Sequence, residues 1–211
     1  MEPEAESGGK AVTFGKIALG MTIQVSIFAV LGAAIWYASG RPLAQFMIVD
    51  LWATLLGLAL GGAMICLAYG LFKGLPKIGE RLVRLQGPTY SFLGDRLGWP
   101  SIILISIGAG IGEEALFRGG IQTFLTDHIG PVGAIALSSA LFAAVHLSKP
   151  PIMVLIFGIG VLFGWVYWAT GSLLIVMIAH TVYDIFALDY LLKEFRRLGV
   201  LHDPEPGDPT S

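Results

Sequence analysis

The sequence predicts an all-α fold: a polytopic transmembrane helical bundle of about six helices with both termini in the cytoplasm. Three observations predict it. Of 211 residues, 55% are hydrophobic and only 13% charged, well outside the balance of a soluble domain. The apolar residues gather into runs of about twenty, enough to cross about 30 Å of hydrocarbon as helices. The basic residues gather in the connections on one side of those runs.

The runs fall at about 15–38, 50–72, 99–125, 131–148, 152–170 and 172–192. Acidic, polar "MEPEAESGG" precedes the first, the reverse of the basic start of a secretory signal, so this span is expected to be retained. Residues 1–14 read as a flexible tail. Spans two and three are joined by "KGLPKIGERLVRLQGPTYSFLGDRLGW", which mixes Lys and Arg with Leu, Ile and aromatics as an interfacial segment does. It is expected to anchor on anionic lipid, and residues 15–98 form one unit of two helices plus this basic connection. "TDHIGP" turns the chain between spans three and four, and the prolines of "LSKPPIM" break spans four and five. The tail "HDPEPGDPTS" is rich in Pro and acid, and 193–211 is expected to be a disordered cytoplasmic tail.

Orientation follows from charge. With the amino terminus inside, Lys10, Lys16, Lys73, Lys77, Arg81, Arg84, Arg96, Lys149, Lys193, Arg196 and Arg197 are cytoplasmic and Arg41 lies outside. A net charge of −2 gives no excess of basic residues for nucleic acid, which is excluded as a partner; membrane lipid is expected as one. The single Cys66 cannot form an internal disulfide and reads as a small buried residue. Small residues four apart at Gly57 and Gly61, Gly108 and Gly112, and Gly160 and Gly164 let helix backbones approach closely in lipid.

Against that apolar background "GEEALFRGG", residues 112–120, carries three ionisable groups mid-way along span three. Glu113 lies about 18 Å into the layer, where each charge costs at least about 2.5 kcal/mol. Glu114 and Arg118 are four apart and can pair, whereas Glu113 points off that row and can hold a water. The bland reading is a buried ion pair with a protonated second Glu, fixing helix register. Two other spans weigh against it. "FAAVH" puts Phe142 and His146 on one face of span four, and "HTVYD" puts His180 and Asp184 on one face of span six. His180 is level with Glu113 and His146 is nearer the cytoplasm, so the three helices can line one cavity open to that side. His128 and His202 read as solvated surface residues.

Two Glu, two His, an Asp and an Arg in a membrane cavity suit amide hydrolysis. Glu113 would take a proton from water and return it to the leaving nitrogen. His146 would orient that water, and His180 would donate to the oxyanion or bind a metal that does the same. Glu113, His146 and His180 also make a two-His, one-Glu set of the kind that holds catalytic zinc, though no H-E-x-x-H signature is present. The cofactor is therefore unknown, a divalent metal such as zinc and a metal-free mechanism standing equally. Helix rotation decides whether Glu113 or Glu114 faces the cavity.

These residues resemble the E-E-x-x-x-R, F-x-x-x-H and H-x-x-x-(N or D) motifs of the CAAX-protease and bacteriocin-processing family of intramembrane endopeptidases. The match runs through Glu113, Glu114 and Arg118, then Phe142 and His146, then His180 and Asp184, in the family's order. It covers about the last hundred residues and makes 99–192 a four-helix catalytic core. The resemblance implies a multi-pass membrane endopeptidase, in the bacterial inner membrane or its equivalent, whose first Glu and middle His activate water. Its last His and the partner four residues on would bind the oxyanion. In the prenyl-protein processing members that last position is usually Asn. Here it is Asp184, which accepts but cannot donate unless protonated, and so fits better as a partner orienting His180. The implied substrate is a protein or peptide, lipidated or not, and peptide processing, immunity to a peptide toxin and regulation of another membrane protein are all open. Two other classes stand beside the protease: a catalytically silent scaffold, and an ion or proton pathway, which the lack of an evident inverted repeat disfavours.

Overall fold

In hydrocarbon every backbone N–H and C=O must be satisfied within the protein, and a helix does this within its own segment. The computed structural model describes residues 13–90 and 97–200, and among them all regular structure is helical. In order these are α1 (Phe14–Ala38), a 3-10 turn (Leu43–Gln45), α2 (Leu51–Gly74), α3 (Pro76–Tyr90), α4 (Trp99–Glu114), a π-helical segment (Ala115–Gln122), α5 (Thr123–Val145), α6 (Pro150–Thr170) and α7 (Leu173–Arg197). The tail residues 1–12 and 201–211, with His202, and the stretch 91–96, with Arg96, lie outside the described residues.

Among the described residues five helical stretches are long and apolar enough to cross a membrane: α1, α2, Trp99–Val145, α6 and α7. The third has 47 residues, about 70 Å of helix, more than twice the hydrocarbon thickness. It is broken at Gly130, whose φ of 74° and ψ of 168° are closed to most side chains, and Pro131 removes the next donor. The two arms fold back on each other: the Phe117 and Phe142 rings lie 5.3 Å apart, and Ser138 donates to Gln122 Oε1 at 3.4 Å. Expected spans three and four are therefore the arms of one helical hairpin. The returning arm stops at Val145, short of the expected 148, and at 1.5 Å per residue Pro131–Val145 measures about 22 Å. Leu147, with φ +46°, turns the chain, and Pro150 starts α6 where its missing N–H costs nothing. At the other end α7 continues past 192 to Arg197.

Glycine pairs make the helix contacts. A Cβ on Gly57 or Gly61 of α2 would come within 2.8 Å of Ile178 or 2.9 Å of Val182 of α7. Gly108 and Gly112 of α4 are crossed by Met21 and Val25 of α1, and Gly160 and Gly164 of α6 by Ser139 and Gln122. Most large side chains on the outer faces, such as Val30 and Leu67, are exposed, as a lipid-facing surface requires. Cys66 is exposed in the same way, contrary to its expected burial, because in lipid an apolar run need not face the protein. Exposed Tyr37, Trp52, Trp165 and Trp168 lie toward one end and Tyr69 and Trp99 toward the other, as aromatic belts do.

Ion pairs tie each end. Arg41, after α1, meets Asp127 before the hairpin kink through two bonds of 2.6 and 2.8 Å, which hold the guanidinium above its ordinary pKa. At the other end Arg197 of α7 meets Glu80 of α3 at 2.9 Å. Lying against α7 without crossing, α3 occupies the connection expected to be interfacial.

Candidate active site

Glu113 and Glu114 close α4, and the eight residues after them are π-helical, a wider turn common at functional sites. Within it Arg118 Nη1 still reaches Glu114 Oε1 at 3.1 Å, and both side chains are fully buried. Nη2 of Arg118 donates to the Gly160 carbonyl of α6 at 3.0 Å, and the guanidinium lies 4.5 Å over the Phe142 ring and 5.7 Å from that of Phe163. One turn on, Gln122 donates to the Gly164 carbonyl at 2.8 Å. Thr123 donates to the Arg118 carbonyl at 3.0 Å and meets the Tyr167 hydroxyl, also at 3.0 Å. The π segment is thereby fixed to α6 by polar contacts along its length.

Glu114 is a hub. Its Oε1 accepts from Arg118 and lies 2.8 Å from His180 Nδ1. The other nitrogen of His180, Nε2, is 3.3 Å from Asp184 Oδ2, one turn along α7. Phe163 stacks on the imidazole with centroids 5.4 Å apart. His180 is thus held in its plane by carboxylates and on its face by an aromatic ring.

Glu113 faces the other way. Its Oε2 lies 3.9 Å from His146 Nε2 and 3.9 Å from His180 Nε2, beyond direct hydrogen bonding, and is a buried oxygen without a hydrogen-bond partner. His146 caps α5, its Nδ1 2.7 Å from the Phe142 carbonyl. A carbonyl only accepts, so Nδ1 carries a proton and Nε2 is the nitrogen that faces Glu113. The Phe142 ring touches this group from a third side, 4.8 Å from the His146 ring.

A cavity of about 240 Å³ reaches this cluster, lined by His146, His180 and Asp184 and by Leu82, Val83 and Gln86 of α3.

Every expected site residue is therefore in one cluster. Glu113, Glu114, Arg118, His146, His180 and Asp184 come together from three stretches of chain, with Phe142 between them. Sequence reading missed Phe163, Gln122, Thr123 and Tyr167. It also took Gly160 and Gly164 as packing residues alone, whereas their carbonyls accept from Arg118 and Gln122. The one available signal was Gln122 itself, an amide four residues past Arg118 in an apolar run. For a metal the donor chemistry of Glu113, His146 and His180 is suitable, but their spacing is not. Among the described residues no group of three or more His, Cys, Asp or Glu side chains is arranged to hold one.

Residues 95–186 match the family model described as type II CAAX prenyl endopeptidase Rce1-like. The uncharacterized protein YpbD of Bacillus subtilis strain 168 is 36% identical over 102 residues, 46% of this chain and 50% of that protein. The chain thus spans about half the length of this curated relative. No solved structure matches. The matched residues include the whole cluster and stop short of α1, α2 and α3.

Proposed function

We propose that this chain, whose residues 95–186 match the model of type II CAAX prenyl endopeptidase Rce1-like proteins, is an intramembrane endopeptidase that cleaves a membrane-associated protein or peptide with water activated by Glu113 and His146. One observation carries the reading: a partnerless buried carboxylate oxygen on Glu113, 3.9 Å from each of two imidazole Nε2 atoms. That separation is one a single water bridges.

The water donates one hydrogen to Glu113 Oε2 and the other to the His146 lone pair, which aims its oxygen at the scissile carbonyl. Glu113 takes the proton as the C–O bond forms, then delivers it to the amide nitrogen as the C–N bond breaks. Charge develops meanwhile on the carbonyl oxygen. His180, with a carboxylate at each nitrogen, acts as an imidazolium whose Nε2–H donates to that oxyanion. Asp184 accepts this hydrogen bond in the resting site and so marks the place the oxyanion takes. Glu114 and Arg118 do not touch substrate. They hold His180 in position, and Phe142 and Phe163 keep the site dry. By the distribution of Lys and Arg, the cavity opens to the cytoplasm of a bacterial inner membrane or its equivalent.

The test compares wild type, Glu113→Gln and His180→Ala in one purified preparation, reading cleavage of membrane-tethered peptides together with metal content. Glu113→Gln should insert and fold as wild type yet lose cleavage by about 10²–10⁴-fold. Full activity in that variant would place the base elsewhere. Stoichiometric zinc that disappears with activity in His180→Ala would replace this mechanism with a metalloprotease.

A further inference from the structure

α3 sorts its surface three ways. Gly79, Val83 and Gly87 face the protein: Val83 is buried, and a Cβ at Gly79 or Gly87 would meet Phe72 at 2.6 Å or Val200 at 2.5 Å. Lys77, Arg81 and Arg84, at helical spacing, share a second side, and Ile78, Leu82 and Leu85 a third. Ile78 is 55% exposed. A helix with a protein side, a basic side and an apolar side lies in a membrane interface.

Among the described residues the basic side lacks counter-charge. It borders a shallow depression formed by Lys77, Glu80, Arg81, Arg84 and Leu85, whose one carboxylate, Glu80, pairs with Arg197 at 2.9 Å. Among the described residues Arg84 reaches the Leu198 carbonyl, at 3.5 Å. No ion pair or hydrogen bond joins the Lys77 or Arg81 side chain to another described residue.

α3 also contributes to the active-site wall, from its protein side and from the adjoining edge at Leu82. Leu82, Val83 and Gln86 line the same cavity as His146 and His180. We propose that the edge formed by Lys77, Arg81 and Arg84 binds anionic headgroups of the surrounding bilayer, and that this seats α3 as a wall of the cavity. Anionic lipid then becomes a determinant of access to the site. An acidic segment of substrate would satisfy the same charges, but it would leave the neighbouring Ile78 and Leu85 uncovered. A bilayer takes both edges at once, headgroups on one and acyl chains on the other. The lipid-binding step does not depend on the protease reading.

The full chain, reconstituted in nanodiscs of phosphatidylcholine alone or mixed with phosphatidylglycerol, tests this by hydrogen exchange of the α3 amides. Phosphatidylglycerol should slow exchange in wild type, by about fivefold for each basic residue engaged. Lys77→Gln, Arg81→Gln and Arg84→Gln together, all at exposed positions, should abolish the difference between the two lipids. Where cleavage is measurable, phosphatidylglycerol should raise it in wild type alone. Equal exchange of α3 in both lipids would overturn the proposal. So would protection conferred only by an added acidic peptide, which would make this edge a substrate-binding surface. Because exchange is read without any cleavage, failure of the proposed chemistry and failure of lipid binding are separate results.

Discussion

Glu113 and Glu114 are adjacent in sequence and opposite in circumstance. Each keeps one buried oxygen without a hydrogen-bond partner, but Glu114 has its other oxygen held by both Arg118 and His180, whereas Glu113 lies 3.9 Å from the nearest imidazole nitrogens. Truncating Arg118 to Ala strands the Glu114 charge in a dry interior, and we expect a loss of about 3–5 kcal/mol, read as the stability of the purified protein to denaturant. A stability near wild type would mean that Glu114 is carried neutral and that Arg118 acts only on His180. Leu147 offers the opposite sign. It sits at φ +46°, 88% exposed, just beyond His146, where a left-handed conformation suits Gly. Leu147→Gly should stabilise by about 1 kcal/mol if no surrounding contact needs the leucine. The Glu114 to Arg118 pair was legible from a four-residue spacing. The bond from Glu114 to His180 was not, because it joins positions 66 apart and depends on how α4 and α7 are rotated against each other.

Among the elements, those defined by local chemistry were legible and those defined by neighbours were not. Runs of apolar residues and two Pro-bearing breaks placed the spanning helices, since each signal lies within a few turns of chain. The π segment carries no such mark. Its widened turn is held by Arg118 and Gln122 reaching the carbonyls of α6, and α6 is far away in sequence. Helix packing separates neighbouring glycines in the same way. Gly61 of α2 leaves no room for a Cβ, which would meet Val182 at 2.9 Å, while Gly62 has nothing within 4 Å. Gly61→Val should destabilise by about 1–3 kcal/mol through overpacking. Gly62→Ala should be neutral or stabilising, and equal effects from the two would remove α2 against α7 as a close contact.

For the whole molecule, the ion pairs at the two ends group the connections by side. Arg41 and Asp127 share one end, and Glu80 and Arg197 share the other. In a Cys66→Ser background, a cysteine at Leu43 and one at Lys77 should be labelled from opposite faces of the membrane, the second from the cytoplasm. Labelling of both from one face would break the six-arm topology. The returning arm of the hairpin has a further consequence. Pro131–Val145 measures about 22 Å, while the hydrocarbon it sits in is about 30 Å thick. This hydrophobic mismatch has to be met by local thinning of the lipid or by water drawn toward the arm's end, where His146 stands. For the proposed hydrolysis this shortens the path of the water it consumes, and acyl-chain length becomes a control on its supply. Turnover should fall as the chains of the host bilayer are lengthened, with the amount of inserted protein unchanged. Turnover indifferent to thickness would mean that water enters by the cavity mouth alone.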